Sequence, residues 1–508
     1  MSHSDRFAYG YRWSVGGNQL LVKGEWGHWW GVRVITAAAL LIRLVGLGAQ
    51  SYWFDEAREV LRVLTPWPDI LLVSEGADPP LYRLLLFPIG QLTTDEFWLR
   101  LPSAVFSTAS VFLAYVWLRQ LGRPELGVVT AALLALAPVQ ILYAQEVSQY
   151  SLTVFLALLI LMAFEGAAQH GRPGDWLLLT AVSLTAMYTY YGLAWLLPIL
   201  DLDLAWRTWQ QRSRQRLAGF IGFHMAVAAG LVILYGLFLA EQFNRFSTNK
   251  ALAPALTDMA VLRDLDNQLL NGFVRFFTIP FAPDAPDLIV WFFVTLFVIG
   301  LFILWRQGLG RLVVVMVTAV LTLYLAFGLG LYPFGDRYAL FLTPLFYAVI
   351  AAVLVGVWSW RGTAVTVVLS LPIFLIFLAF WPNIRLIPNP WLSPVSEELR
   401  PVVAHLQNQL QPEDFIYVYY GAVPAYRIYE GAPTNPTEYG IWFRNWPLEE
   451  KIADIQRAAS DAPRLWLIMS HVLGGEDGEL IGGLESRGYQ VVAEYGRKDA
   501  RAVLFRRE

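Results

Sequence analysis

Apolar runs of about 17 to 24 residues recur along this chain, and a helix needs about 20 residues to cross the hydrocarbon of a bilayer. The runs lie at roughly 32–50, 98–118, 125–143, 151–168, 175–188, 191–206, 218–240, 288–305, 312–331, 338–358 and 363–381. About eleven spans follow, and the fold class is a polytopic α-helical membrane protein. Only 15% of the 508 residues are charged, against roughly 25% in a soluble domain, yet the last 127 or so residues are too polar to join the bundle. The first 30 residues have no short apolar core and no small-residue cleavage site, so the run at 32–50 reads as an uncleaved first span.

Charge and residue usage remove several function classes. A net charge of -3 gives no reason to expect nucleic acid as a partner. With no cysteine, disulfides, thiolate metal sites and thiol nucleophiles are excluded. The 21 Trp, 23 Tyr and 31 Phe are a load suited to bilayer interfaces. His170 and His224 are isolated in sequence, and no metal ligand is assigned.

Orientation follows from basic residues in short loops. Arg119 and Arg123, then Arg207, Arg212, Arg214 and Arg216, then Arg306 and Arg311, then Arg361, fall in alternate loops, whereas 144–150 and 189–190 carry no Lys or Arg. The N-terminal tail, 1–31, is expected in the cytoplasm and the C-terminal segment outside. The membrane domain is expected over 32–381, with amphipathic interfacial helices at about 55–92 and a long outer loop at 241–287. A Pro-rich linker, 382–394, leads to the extracytoplasmic domain, 382–508 in all. Ser393-Pro394 suits a helix start. Strands are expected at 415–420, 464–470, 489–495 and 501–506, with helices at 447–459 and 476–487, which makes a small α/β domain. The glycines at 474, 475, 478, 482 and 483 lack the spacing and lysine of a phosphate-binding loop.

Four polar sites gather on the expected outer face. Asp55-Glu56 follows the first span, Asp78-Pro-Pro-Leu-Tyr82 opens an interfacial helix, Gln145-Glu146 to Tyr150 joins two spans, and Asp336-Arg337-Tyr338 opens another. Carboxylates with a nearby cation suit group transfer from a lipid phosphate: a carboxylate takes the acceptor's proton and the cation holds the departing phosphate. Each residue also has a plainer reading. Glu56, Asp78 and Glu146 can serve as helix caps, and Arg337 as a snorkelling span end. Arg43 can snorkel or pair within the bundle, and Tyr188, Tyr190 and Tyr191 can form an interface belt.

The residues resemble a family. Leu41-Ile-Arg-Leu-Val-Gly-Leu-Gly, then Trp53-Phe-Asp-Glu-Ala57, is similar to the opening of the GT-C membrane glycosyltransferases. These polyprenyl-phosphate-sugar-dependent enzymes are related to protein O-mannosyltransferases and aminoarabinose lipid A transferases. Asp78-Pro-Pro-Leu-Tyr82, Trp98-Leu-Arg-Leu-Pro102, Ala144-Gln-Glu146 to Tyr150, Tyr188-Thr-Tyr-Tyr-Gly192 and Arg337-Tyr338 to Pro344 continue the resemblance over most of 33–350. It implies an inverting hexosyl- or pentosyltransferase of the inner membrane that moves a sugar from a polyprenyl-phosphate carrier to a protein, lipid or glycan acceptor. Asp55 matches the family's proposed base and Glu56 its partner. Glu146 matches the second-loop acidic residue, which serves acceptor, metal or base. Arg337 sits where relatives place a basic group near the lipid phosphate, and Asp78, Tyr82, Tyr150, Tyr190 and Tyr338 are the expected substrate-binding residues. Cofactor use stays open, with a divalent cation as the candidate. Relatives commonly have His where this chain has Asp78, often His at Tyr190, and often an Arg near Ser148-Gln149. Those departures favour a second reading, a catalytically inactive assembly subunit of a larger membrane complex with partner subunits. A transporter, the third, would place its ionisable groups mid-span.

Overall fold

The structure, a computed structural model, describes residues 18–71, 78–211, 213–240, 277, 287–328, 332, 336–380, 397–431, 435–441, 446–459, 462–472 and 474–507. It is mostly helical, with a small sheet near the C-terminus. The expected loop at 241–287, the linker at 382–394 and the helix start at Ser393 lie almost wholly outside the described residues.

Helix α1 (Asn18–Leu44) starts earlier than expected and stops before residue 50. Two short helices follow, α2 (Phe54–Val63) and α3 (Leu81–Gly90). They pack closely, since a β-carbon at Gly90 would come within 2.5 Å of Val63. The bundle continues with α4 (Glu96–Gln120), α5 (Pro124–Leu136), α6 (Pro138–Ala144), α7 (Tyr150–Gln169), α8 (Pro173–Thr189), α9 (Leu196–Gln211) and α10 (Arg214–Leu234). It closes with α11 (Asp287–Arg306), α12 (Gly310–Gly328) and α13 (Thr343–Phe380), the last bent at Gly362, where φ is +76°. Helix α4 packs on α1, α5 and α7, and α13 packs on α5 and α11.

Among the described residues, five helical segments are long and apolar enough to cross a membrane, and the bent α5–α6 pair makes a sixth. Of the other expected spans, the first falls on α1, which has 27 residues but is not among these segments, and two fall on shorter helices, α8 with 17 residues and α9 with 16. Tyr190 separates those two in an extended conformation, which is the break expected within 175–206.

The α5–α6 break explains Arg43. Pro138 has no N–H to give the carbonyl of Leu134, and the residue before a proline avoids helical geometry. Ala137 is accordingly extended. The stranded carbonyls of Leu134 and Ala135 accept from Arg43 at 3.1 Å each, while its Nε donates to Ser107 Oγ at 2.8 Å. Arg43 is fully buried. Among the described residues it meets carbonyls and a hydroxyl rather than a carboxylate, and it closes a helix break.

The C-terminal domain is a five-stranded sheet in the order β2-β1-β3-β5-β4. Its strands are β1 (Asp414–Val418), β2 (Thr437–Tyr439), β3 (Arg464–Ser470), β4 (Tyr489–Arg497) and β5 (Ala500–Arg507). β1 runs parallel to β2 and β3, and β5 antiparallel to β3 and β4. Successive side chains of a strand face opposite sides. Leu465, Leu467 and Met469 therefore pack under α16 (Leu448–Ala458) and α17 (Glu476–Glu485). Trp466 and Ile468 face α14 (Leu399–Gln409) and share one continuous core with the bundle. The strand expected at 489–495 runs on through Arg497, which leaves Lys498-Asp499 as the turn to β5. Two elements were not expected: the three-residue β2, too short to show alternation, and α15 (Val423–Tyr429), whose Pro424 reads as a loop signal.

Replacing Arg43 with Met keeps length and apolar stem but abandons two buried carbonyls. Each unsatisfied group costs about 1–3 kcal/mol, so Arg43→Met is expected to lose roughly 2–6 kcal/mol. Thermal unfolding of the purified protein in detergent measures this; an unchanged melting temperature would remove Arg43 from the helix break.

Candidate functional site

Four separate stretches converge on a cavity of about 340 Å³ at the α2 end of the bundle. Its walls are α2, the segment from Glu146 to Tyr150 between α6 and α7, Asp78 before α3, and the 3-10 turn Asp336–Leu342 that leads into α13. Asp55, Glu56, Asp78, Glu146, Tyr150, Arg337 and Tyr338 all line it. Arg58, Glu59 and Arg62 line it too.

Asp55 stands at the start of α2, where the helix dipole favours a negative charge. Its Oδ2 accepts from Arg337 Nη1 at 2.7 Å. Both side chains keep about a third of their surface open, 36% and 30%, so the pair is accessible to a competing anion. The Arg337 guanidinium also lies 5.9 Å from the Tyr150 ring and 5.5 Å from the Tyr338 ring. A cation over aromatic faces is attracted by the ring quadrupole, which holds it at the cavity wall.

Glu56 has a different environment. It is buried, and takes two hydrogen bonds of 2.8 Å from the Nε and Nη2 of Arg100. It also accepts the backbone N–H of Val147 at 2.9 Å. Arg100 spends its other donors on the carbonyls of Leu47, Gln50 and Ser51. One buried ion pair thus ties together the segment between α1 and α2, the start of α2 and the loop that carries Glu146. Glu146 itself is buried at the cavity wall.

Asp78 is half-buried. Burial pushes its carboxyl above the ordinary range, Glu59 pushes it further, and Arg83, Arg62 and a hydrogen bond from Gln149 pull it back. Glu59 is held by Arg62 at 3.1 Å and by Arg83 at 3.2 Å. Tyr82 and Tyr190 do not line the cavity. Tyr82 is buried against Ser103 at 3.1 Å, and Ser103 in turn reaches the carbonyl of Ser148. The Tyr190 hydroxyl lies 2.9 Å from that of Tyr332, and its ring meets Tyr150 edge-on at 5.9 Å. Both brace the wall from behind.

Sequence reasoning assigned no role to Arg58, Glu59, Arg62, Arg83 or Arg100. A signal for three of them was present: Arg58, Glu59 and Arg62 follow Asp55 by three, four and seven positions, the spacing of one helix face. Nor did it reach the contacts from the C-terminal domain. Glu397 accepts the Phe54 N–H at 3.0 Å and meets His471 Nδ1 at 2.7 Å, and the His471 ring stacks on Phe54 at 4.5 Å. Tyr429 receives the Tyr52 N–H at 2.7 Å and donates to Glu96, which also accepts from Arg400. The residues that lead into Asp55, Tyr52 and Phe54, are therefore gripped by the distant domain. Burial pushes the Glu397 carboxyl up, and His471 and the Phe54 amide oppose that rise.

A divalent cation finds a poor donor set among the described residues. No three His, Asp or Glu side chains come together as ligands. Asp55 is paired with Arg337 and Glu56 with Arg100.

Residues 77–238 match the family described as dolichyl-phosphate-mannose-protein mannosyltransferase. Over 163 residues the chain is 32% identical to the undecaprenyl phosphate-alpha-4-amino-4-deoxy-L-arabinose arabinosyl transferase of Pseudomonas aeruginosa, strain UCBPP-PA14. That stretch is 31% of this chain and 29% of the relative. Among solved structures, ArnT from Cupriavidus metallidurans bound to undecaprenyl phosphate superimposes with a TM-score of 0.56 at 14% identity. The superposition covers 93% of this chain and 97% of that one. The archaeal oligosaccharyltransferase AglB from Archaeoglobus fulgidus, in complex with an inhibitory peptide and a dolichol-phosphate, gives 0.51 at 11% identity, over 94% and 74%. The chain shares the fold of these two structures over more than nine-tenths of its length, while the matched family and relative each cover only about a third of it.

The two neighbouring carboxylates are expected to behave oppositely on neutralisation. Glu56→Gln strands the charge of a buried arginine and should cost about 3–5 kcal/mol. Asp55→Asn breaks a half-exposed pair and should cost under about 1 kcal/mol. Melting curves of the two variants test this, and equal losses would contradict the buried and open environments described for them.

Proposed function

We propose that this protein is an inverting glycosyltransferase of a prokaryotic cytoplasmic membrane. It moves a sugar from a polyprenyl-phosphate carrier to a hydroxyl of a protein, lipid or glycan acceptor on the outer face. The observation that carries the proposal is the accessible Asp55–Arg337 pair in a cavity at the ends of the spans. The carrier class is supported by the relatives, whose names and bound molecules are undecaprenyl phosphate and dolichol-phosphate.

The pair suggests an order of events. A donor phosphate offers Arg337 two acceptor oxygens, a better match to its planar fork than one carboxylate oxygen. Binding of the donor therefore draws the guanidinium away from Asp55 and frees the carboxylate as a base. The acceptor oxygen attacks the anomeric carbon as its proton passes to Asp55. The bond from that carbon to the phosphate oxygen breaks, and the phosphate leaves with the electron pair, held by Arg337. One displacement inverts the anomeric centre. Glu56 positions Asp55 through Arg100, and Glu146, Tyr150 and Tyr338 shape the cavity around the reacting atoms. The departures at Asp78, Tyr190 and Ser148-Gln149 favour the inactive assembly subunit, but the cavity keeps both a carboxylate and a cation, which speaks against it.

Asp55→Asn keeps size and hydrogen-bonding reach but takes no proton at neutral pH. Single-turnover transfer should fall about 10²- to 10⁴-fold, while the variant still binds undecaprenyl phosphate. Full transfer by the folded variant would remove Asp55 as base.

The arginine-rich loops lie at the opposite end of the bundle from the cavity, which supports a cytoplasmic N-terminus and an external C-terminal domain. In this cysteine-free chain, Gln210→Cys and Ser486→Cys are each exposed single reporters. An impermeant thiol reagent applied to intact cells should label Ser486→Cys alone. Labelling of both, or only of Gln210→Cys, contradicts this orientation.

A further inference from the structure

We infer that the acceptor binds at the carboxyl edge of the C-terminal sheet, and that it carries an anionic group, a phosphate or carboxylate, set apart from the hydroxyl that is attacked. The inference rests on the reading of Asp55 as base and adds the chemical class of the second substrate.

A second cavity, of about 440 Å³, lies between α2 and the C-terminal domain. It adjoins the reaction cavity, and Arg58 and Arg62 line both. Its far wall is built from Tyr420, just after β1, Arg427 on α15, and Gly440, just after β2. Ligands of α/β domains bind in the crevice beyond the carboxyl ends of parallel strands, and β1 and β2 are such a pair. The domain thus presents its crevice directly to the helix that bears the base.

Charge sets the ligand class. The cavity is lined by three arginines, and among its described lining residues there is no carboxylate. Glu59 offsets Arg62. Arg58 lies 5.4 Å over the Phe54 ring and Arg427, which is exposed, 4.7 Å over the Tyr439 ring. Guanidinium groups present planar pairs of donors that match phosphate and carboxylate oxygens.

Spacing sets the geometry. Asp55, Arg58 and Arg62 stand at positions i, i+3 and i+7 of α2, one stripe of one face. At about 1.5 Å of rise per residue, the two arginines lie roughly 4.5 and 10.5 Å along the helix from the base. An acceptor lying along that stripe puts its hydroxyl at Asp55 and its anion one to two turns away, with Arg427 closing over it.

The test uses the full-length protein in phosphatidylcholine nanodiscs with glucose 6-phosphate as probe and glucose as neutral control, followed by calorimetry. Glucose 6-phosphate should bind at least tenfold more tightly than glucose. Arg427→Gln, a change at an exposed residue, should weaken it about tenfold, as expected for one charged hydrogen bond. Arg427→Lys should recover part of that loss, and the affinity of Arg427→Gln for undecaprenyl phosphate should match wild type. Equal affinity for the phosphorylated and neutral sugars overturns the inference. So does binding that survives Arg427→Gln and is lost in Arg337→Gln, which would put the anion in the reaction cavity. Displacement of the probe by phosphatidylglycerol added to the nanodiscs also overturns it, since the crevice would then hold bilayer headgroups. None of these measurements needs turnover. A wrong base would show as full transfer in Asp55→Asn with Arg427-dependent binding intact. A wrong acceptor site would show as lost discrimination with Asp55→Asn still inactive.

Discussion

The buried pair of Glu56 and Arg100 is the contact on which the site depends. Five donors of one guanidinium and two oxygens of one carboxylate connect the segment between α1 and α2, the start of α2 and the Val147 loop through hydrogen bonds of about 3 Å or less. Burying two opposite charges gives little net stability, because desolvation consumes most of the Coulomb gain. What it supplies is geometry. Every alternative placement of α2 would leave a charge or several carbonyls unpaired in an apolar setting, so the helix has one seat.

That seat decides what Asp55 does. Adjacent residues on a helix differ by about 100° around its axis, so when Glu56 points inward Asp55 must point elsewhere. Here it points into the cavity. The Asp-Glu doublet therefore divides its labour by helical geometry alone: one carboxylate is spent holding the helix, and the other stays open to solvent and ligand. A chain with Asn at 55 would keep its fold, and one with Gln at 56 would lose the reason for it.

Much of this was legible in the sequence, and the boundary of legibility is physical. β3 has the expected bounds because a run of buried apolar residues between polar ends is a local signal. The gathering of Asp55, Asp78, Glu146 and Arg337 was readable because each follows or precedes an apolar run, which fixes the end of the bundle it occupies. The partner of Glu56 was not readable. Arg100 sits inside an apolar run and could have faced any of several neighbours, and its contacts reach 44 to 53 positions away. The role of helices such as α8 and α9 is harder to read for a related reason. They are 17 and 16 residues long and carry both buried and exposed apolar side chains, and a hydropathy run does not separate a face packed on neighbours from one turned outward. Glu397 and His471 lie more than 340 and 400 positions beyond Phe54, and no local pattern reports such a contact.

The same long-range contacts say why the sheet domain belongs on this chain. Helix α2 is only 10 residues long, and isolated helices of that length are marginal even with good formers. Its first N–H groups need acceptors, yet Trp53 offers no side-chain cap. Glu397 supplies one from the C-terminal domain, and Tyr429 fixes the backbone two residues earlier. One end of the Asp55-bearing helix is thus seated by the bundle through Glu56 and completed by the sheet domain through Phe54. Undocking the domain would remove the cap, the ring stacked on Phe54 and the wall of the second cavity together. The three losses are coupled because they fall on the same turn of helix or the one after it. A helix that is complete only when both domains meet on it makes the position of Asp55 a property of the whole chain.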